Sequence, residues 1–268
     1  MEDLISVIIT SFNRGVLLDR AVQSVLSQSY KSFEILIVDD CSTDVMTKDV
    51  LKKYEAREFA NVKVIRMNKN SGSNVCRNYG IKYASGVFYT GLDDDDYFLK
   101  DRLVQLLNKF DPGYSFLCDN FFIKKGRKLK KRFLSGKVLN LKDMVLENQA
   151  GNQVFTTLER IRGVGGFDPN LRKLQDQDLW LRLIEKYGPA LRANLRSYVM
   201  DVGHDSERIT SKYSNYLAYE ALYKKHWGCI PDNIKPIAER KLSVLKSGRY
   251  YCIGKLILKF DRIKLDIL

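Results

Sequence analysis

The sequence predicts an α/β protein: a mainly parallel sheet flanked by helices, followed by a helical, basic C-terminal extension. Three observations lead there. Short apolar, β-branched runs alternate with helix-spaced apolar residues as far as residue 110. Two of these runs end in clustered aspartates. Beyond residue 204 the pattern turns helical, basic and aromatic.

The run "ISVIIT" (5–10) is a short, mainly apolar and β-branched stretch, as in a strand buried on both faces. Asn13 suits the N-cap of the next helix, which carries Leu17, Leu18, Ala21, Val22, Val25 and Leu26 at helical spacing. "FEILIVDD" (33–40) is a second buried strand, ending in Asp39 and Asp40. Ser42, Thr43 and Asp44 offer caps for a helix with Val50, Leu51 and Tyr54 on one face. "VKVIRM" (62–67) reads as a third strand, 73–84 as a helix, "GVFYTGL" (86–92) as a fourth strand and 99–110 as a helix. Such alternation builds right-handed βαβ units, and ligands of the resulting sheet sit at the carboxyl ends of its strands. Asp39, Asp40 and the run Asp93–Asp96 all fall at such ends, so two acidic groups are expected to converge on one crevice.

After residue 112 the pattern changes. "YSFLC" (114–118) predicts a strand, and "KKGRKLKKR" (124–132), with seven basic residues in nine, a hairpin or loop after it. "QDQDLWLRLIEKYG" (175–188) predicts a helix with Leu179, Leu183 and Tyr187 on one face and Gly188 at its end. From 240 to 268, eight basic residues are interleaved with Leu, Ile and Phe.

The 45 Lys+Arg outnumber the 32 Asp+Glu, a formal net charge of +13, which favours an anionic partner. Nucleic acid is disfavoured, because no recognition motif of the usual kinds is present and an acidic crevice repels phosphate backbones. Five scattered cysteines without a CxxC pair exclude a disulfide framework and a structural zinc site, and indicate a reducing compartment. The N-terminus lacks a basic n-region, and no apolar run approaches the roughly 18 residues needed to span a bilayer. A cytoplasmic protein is expected, with peripheral attachment to the inner face of the plasma membrane left open.

Against this basic background "GLDDDDYF" (91–98) places four carboxylates side by side. A helix N-terminus accounts for one or two of them. A calcium-binding EF-hand loop does not fit, since its alternating ligands, central glycine and terminal glutamate are missing. A divalent cation bridged to a diphosphate explains the cluster, with one or two carboxylates on the ion and the ligand supplying further oxygens.

Five blocks carry a resemblance: "SVIITSFNR" (6–14), "ILIVDDCSTD" (35–44), "NSGSNVCRNYGI" (70–81), "GLDDDDYF" and "GGFDPNLRKLQDQDLWLRL" (165–183). In this order and spacing the chain, over about residues 4 to 210, resembles family 2 glycosyltransferases of the GT-A fold, whose Rossmann-like sheet binds a nucleotide-diphospho-sugar. These are inverting enzymes of bacterial O-antigen, capsule and lipooligosaccharide synthesis. The resemblance implies a UDP-sugar donor, Mn²⁺ or Mg²⁺ as cofactor, and a glycan acceptor linked to a lipid diphosphate. It divides the chain into a catalytic domain, 1–210, and an extension, 211–268; within the domain, 1–112 binds the nucleotide sugar and 113–210 serves acceptor and catalysis.

Carried over by residue, the resemblance assigns Asp39 to the uracil ring, with Asp40 shaping the turn. Thr10, Phe12, Asn13 and Arg14 line the base and ribose pocket, and Arg77 contacts the nucleotide or its phosphates. The metal motif falls on Asp93–Asp95 with Asp95 as direct ligand; Asp93 or Asp94 holds the ribose or a metal-bound water, and Asp96 caps the following helix. The register stays open between Asp93-x-Asp95 and the adjacent pair Asp94-Asp95. Relatives carry Glu-Asp where this chain has Gln175-Asp176, so Asp176 is the expected catalytic base, with Asp178 the alternative. His204 is a candidate for the metal or the phosphates, and Asn152 and Trp180 for the sugar or acceptor side. The basic C-terminus has two readings, an anionic membrane anchor or helices packed on the catalytic domain.

Overall fold

The computed structural model describes residues 2–203 and 214–247; His204 and the end of the basic tail lie outside the described residues. The chain runs β1 (Ile5–Ser11), α1 (Gly15–Leu26), β2 (Phe33–Asp39), α2 (Val45–Tyr54), β3 (Val62–Arg66), α3 (Ser73–Tyr83) and β4 (Phe88–Asp93). It continues as β5 (Tyr97–Phe98), α4 (Arg102–Lys109), β6 (Leu117–Lys125), β7 (Lys128–Arg132), β8 (Lys137–Leu139), α5 (Leu141–Leu146) and β9 (Phe155–Thr157). Next come α6 (Leu158–Gly163), α7 (Gln175–Tyr187), β10 (Ala190–Asp201), α8 (Asn215–His226) and α9 (Lys235–Lys246).

One sheet carries the fold, in the order β3-β2-β1-β4-β9-β6-β10-β5, with β7 paired to β6 and β8 to β10. The pairings β3-β2-β1-β4 are all parallel. Beyond β4 the sheet is mixed: β9 runs antiparallel to both β4 and β6, while β6 and β10 are parallel. The mainly parallel sheet expected from the sequence therefore describes the first half, where β1, β2 and β3 are each followed by a crossover helix.

The period of two along each strand distributes the core between both faces. Ile8 and Leu36 enter a cluster with Trp180, Leu183 and Met144, whereas Val7, Ile9, Ile35 and Ile37 pack with Leu18, Val22, Leu51 and Leu103. Gly15 lets the start of α1 approach α2, since a Cβ there would stand 2.6 Å from the Met46 backbone.

Local details differ from expectation in four places. Asn13 is not the cap of α1: it sits at φ 54°, Arg14 takes the N-cap position, and the Asn13 Oδ1 accepts from the amides of Thr43 and Asp44. Asp44 alone of the three offered residues caps α2, accepting from the Thr47 amide at 2.8 Å. Helix α4 begins only at Arg102 behind Asp101, so Asp96 is not its cap. Strand β6 starts at Leu117 and runs into the basic segment, because β10 and β7 pair with it on either side; the basic run forms the β6–β7 hairpin around Gly126.

None of the described helices is long and apolar enough to cross a membrane. The extension contributes Leu222 and Tyr223 of α8, Ala238 of α9, and Ile230 and Ile234 of the connection between them to the same core cluster as Trp180 and Leu183.

Candidate active site

The carboxyl ends of β1, β2 and β4 lie side by side: Ser11 is in register with Asp39, and Thr10 with Asp93. This parallel register gathers the acidic residues. Asp39 turns back on its own loop, its carboxylate accepting from the Ser42 amide at 3.1 and 3.3 Å. Asp40 does not shape that turn. It reaches the start of α3, accepting from the amides of Ser71 (2.6 Å) and Gly72 (2.9 Å), and thereby joins two loops at the crevice rim. Phe12, 38 % exposed, and Asn13 form the neighbouring wall with the Ser42–Asp44 loop.

The four aspartates point in different directions. Asp94 is buried against β1, accepting from Ser11 Oγ at 2.8 Å and Arg14 at 3.1 Å. The oxygens of Asp93, Asp95 and Asp96 instead lie within 4.8 Å of one another. Arg14 also reaches Asp95, at 3.0 Å. Asp93 accepts from Arg77 at 2.9 Å, Asn152 at 2.7 Å and Gln153 at 3.0 Å. Asp96 accepts from the Tyr198 hydroxyl, the Asn152 amide and, at 2.8 Å, the Asp201 backbone amide. Gly91 makes room for this arrangement: a Cβ there would collide with Gln153 Oε1.

Electrostatics show a cluster with more negative charge than its donors neutralise. Burial, then the charges of Asp93 and Asp95, push the Asp96 carboxyl well above the usual carboxylate range. Burial raises Asp94 to about 6, opposed by Arg14 and reinforced by Asp95. Three convergent carboxylates are hard oxygen donors of the kind that suits Mg²⁺ or Mn²⁺, so the residues fit the expected ion.

Asp176 opens α7 and stands across from this cluster. Burial pushes its carboxyl up to about 7, with Arg77 pulling it down and Asp93 pushing it further up. Its Oδ1 is buried without a hydrogen-bond partner, as are the Tyr89 hydroxyl and Gln153 Oε1. A carboxylate near neutrality with an uncommitted oxygen has the properties of a general base. Asp178 is the opposite case. Burial works against its charge, but hydrogen bonds from His226 and Lys225 and the Arg182 guanidinium hold its carboxyl well below the usual range.

Trp180 does not face the crevice. It is fully buried, and its indole N–H donates to the Gly151 carbonyl at 3.0 Å, supporting the loop that delivers Asn152. Arg77 is also buried, its guanidinium 5.1 Å from the Phe167 ring centre. Sequence reasoning missed Ser11, Arg20, Gln153, Tyr198 and Asp201. Arg20 donates to Asp201 at 2.7 Å and to the backbone carbonyl of Asp95. Tyr198 and Asp201 lie at the end of a strand more than a hundred positions from Asp96, and no local pattern marks them.

An acidic crevice at the strand ends, faced by the Asp176 carboxylate, is the arrangement of an α/β group-transfer enzyme. Residues 6–162 match the family described as Glycosyl transferase family 2, and the chain belongs to that family: it is a glycosyltransferase. Among relatives, the Escherichia coli (strain K12) protein named "Putative colanic acid biosynthesis glycosyl transferase WcaA" is 32% identical over 230 residues, covering 83% of this chain and 81% of the relative. The E. coli UDP-Glc:alpha-D-GlcNAc-diphosphoundecaprenol beta-1,3-glucosyltransferase WfaP is 29% identical over 195 residues, 72% of this chain and 75% of the relative.

Solved structures share the GT-A fold. S. aureus TarS 1–349 in complex with UDP-GlcNAc superposes with a TM-score of 0.68 at 21% identity, over 81% of this chain and 64% of TarS 1–349; the chain thus spans under two thirds of that neighbour. The mannosyltransferase PcManGT of Pyrobaculum calidifontis, in complex with GDP-Man and Mn²⁺, gives 0.63 at 16% identity, over 90% of this chain and 69% of the neighbour.

Proposed function

We propose that this enzyme moves a hexose or N-acetylhexosamine from a UDP-sugar to a hydroxyl of a lipid-diphosphate-linked glycan in bacterial surface polysaccharide synthesis, with inversion at the anomeric carbon. The single observation that carries the reading is Asp176, a half-buried residue whose buried Oδ1 has no hydrogen-bond partner, set across from the Asp93, Asp95 and Asp96 cluster. The Asp176 carboxylate takes the proton of the acceptor hydroxyl as that oxygen bonds to the anomeric carbon. The bond from that carbon to the diphosphate breaks, and UDP leaves with the electron pair. Asp178, already bonded to Arg182, Lys225 and the His226 imidazole, has no capacity left for this role.

Asp95, with Asp93 and Asp96, would hold Mn²⁺ or Mg²⁺, which when bound neutralises charge gathering on the leaving diphosphate. Asp94 is turned to Ser11 and Arg14, which favours the Asp93-x-Asp95 register. Thr10, Phe12, Asn13, Arg14, Asp39 and Asp40 then frame the uridine, and Arg77 and Asn152 hold Asp93 in place. Residues 1–112 are the nucleotide-binding half, and 113–210 the acceptor half. The name of the relative WfaP, with its diphosphoundecaprenol acceptor and UDP-Glc donor, supports the substrate classes. The Mn²⁺ bound in PcManGT supports the metal.

An anionic membrane surface is the proposed partner of the β6–β7 hairpin. Lys125, Arg127, Lys128, Lys130 and Lys131 are exposed and form no ion pair with a carboxylate among the described residues, and Leu129 between them is exposed as well. Replacing these five cations by Gln in the full chain is expected to abolish binding to vesicles containing anionic phosphatidylglycerol while leaving UDP release intact.

The test of the reaction is a screen of nucleotide sugars against lipid-linked mono- and disaccharides, reading released UDP. Asp176→Asn should lower transfer by about 10²- to 10⁴-fold with UDP binding nearly intact. Full activity in Asp176→Asn, or pyrophosphate as the released product, overturns the reading.

A further inference from the structure

Two segments meet the reaction centre from the second half of the chain: the first turn of α7, with Asp176, and the loop 147–153, with Asn152 and Gln153. Each is fastened from behind by α8 or α9. On one side, Lys225 Nζ lies 2.8 Å from Asp178 Oδ1 and 2.6 Å from Asp168 Oδ2, and His226 Nε2 lies 2.9 Å from Asp178 Oδ1. Asp178, two residues past Asp176, is fully buried, and Arg182 completes its shell while donating to the carbonyls of Val164 and Gly166.

On the other side, Lys241 of α9 is buried and donates to the Leu146 carbonyl, with its ammonium 3.3 Å from the Tyr219 ring centre. The Tyr223 hydroxyl donates to the Val145 carbonyl at 3.3 Å. Along the same segment Arg192 holds the Gln149 carbonyl at 2.9 Å, and Asn148 closes the turn on Ala150 and Gly151. The next two residues deliver Asn152 and Gln153 to Asp93.

Packing alone does not call for these groups. Placing an ammonium and a carboxylate inside an apolar core carries a desolvation cost, and aliphatic side chains of similar size often fill such places with equal or greater stability. What the charged groups add is direction: each fixes one oxygen, of a backbone carbonyl or of Asp178, in one place. Burial indeed lowers Lys241 to about 7, opposed by Glu147, which marks the cost of keeping an ammonium there.

We propose that the α8–α9 pair is a positioning device for sugar transfer, in which Lys225 and His226 set α7 so that Asp176 faces Asp93, and Lys241 sets the loop so that Asn152 and Gln153 hold Asp93. The inference rests on the roles given to Asp176 and Asp93 above. It makes the helical extension part of the catalytic apparatus, with residues that touch neither substrate.

The experiment compares full-length wild type, Lys241→Met, Asn152→Ala and the double variant for kcat, KM and UDP affinity, with folding followed by circular dichroism. Lys241→Met is expected to lower kcat by roughly tenfold to a hundredfold while UDP affinity and the melting transition stay near wild type. If Lys241 acts through Asn152, the double variant loses little beyond Asn152→Ala alone. Wild-type kcat and KM in folded Lys241→Met, or fully additive losses, overturn the inference. Should Lys241→Met fail to fold, Lys225→Gln decides, since it leaves Arg182 and His226 on Asp178: a lowered kcat with unchanged UDP affinity supports positioning, and wild-type kcat refutes it. A wild-type chain inactive with every donor brings down the underlying reading, and the positioning role with it.

Discussion

Arg77 stands 2.9 Å from Asp93 Oδ1, and its positive charge also falls on Asp176. One guanidinium therefore links the two acidic centres of the crevice. It lowers the Asp176 carboxyl that burial and Asp93 raise. A base must be deprotonated to work, so transfer by the wild type is expected to fall as pH drops below about 7. In Arg77→Met the Asp176 carboxyl should titrate higher and the acidic limb of kcat/KM should move up in pH. An unmoved limb would separate Arg77 from the base.

Asp95 shares Arg14 with Asp94 but, unlike Asp94, belongs with Asp93 and Asp96 to the group proposed to hold the ion. Asp95→Ala should weaken Mn²⁺-dependent UDP binding by roughly tenfold or more, read by calorimetry. Binding in the absence of metal should change little. Equal losses with and without Mn²⁺ would point to a structural role instead.

The raised carboxyls also link stability to pH. Asp94, at about 6, and Asp176, at about 7, lie above their ordinary value in the folded protein. Their stabilising contribution is complete below the unfolded carboxylate range near 4 and is lost as pH rises through 6 and 7. Metal-free protein should therefore melt at a higher temperature at pH 5 than at pH 7.5. Mn²⁺ should raise the melting temperature more at the higher pH, where the cluster is ionised. A melting temperature that falls on acidification over this range would contradict the burial assigned to these groups.

Away from the crevice, Arg102 is fully buried and donates to Asp119 at 2.8 Å and to Ser197 Oγ at 3.0 Å. Asp119→Ala strands that guanidinium in the core. The expected loss is about 3–5 kcal/mol, measured as a lower urea midpoint. Replacing Asp119 and Arg102 together by apolar residues should cost less than Asp119→Ala alone.

The parallel half of the sheet was legible because its signals are local. Ile5 to Thr10 and Phe33 to Val38 are apolar on both faces, and that pattern has one explanation in a strand covered by helices. The cluster Asp93–Asp96 was legible as chemistry because four adjacent carboxylates in a basic chain need a reason. Its geometry was not. Adjacent residues differ in where their side chains point, and only Ser11 and Arg14 on one side, with Arg77, Asn152 and Tyr198 on the other, sort Asp94 from Asp93 and Asp96. Asn13 and Asp96 look like caps in sequence, yet both are taken by partners distant along the chain.

The same division holds for Asp176 and Asp178. Two residues apart on one helix, they are near-equivalent as sequence, since both sit in the first turn where carboxylates are favoured. Helix geometry turns them about 200° apart, so one faces Asp93 and Arg77 and the other faces His226, Lys225 and Arg182. The amino-acid sequence by itself determined the family, the α/β class and the residues able to carry the chemistry, because these depend on local pattern and composition. Which carboxylate pairs with Lys225 and Arg182 and which keeps an oxygen without a partner was decided by the tertiary structure, because a carboxylate's surroundings depend on neighbours that only folding brings within reach.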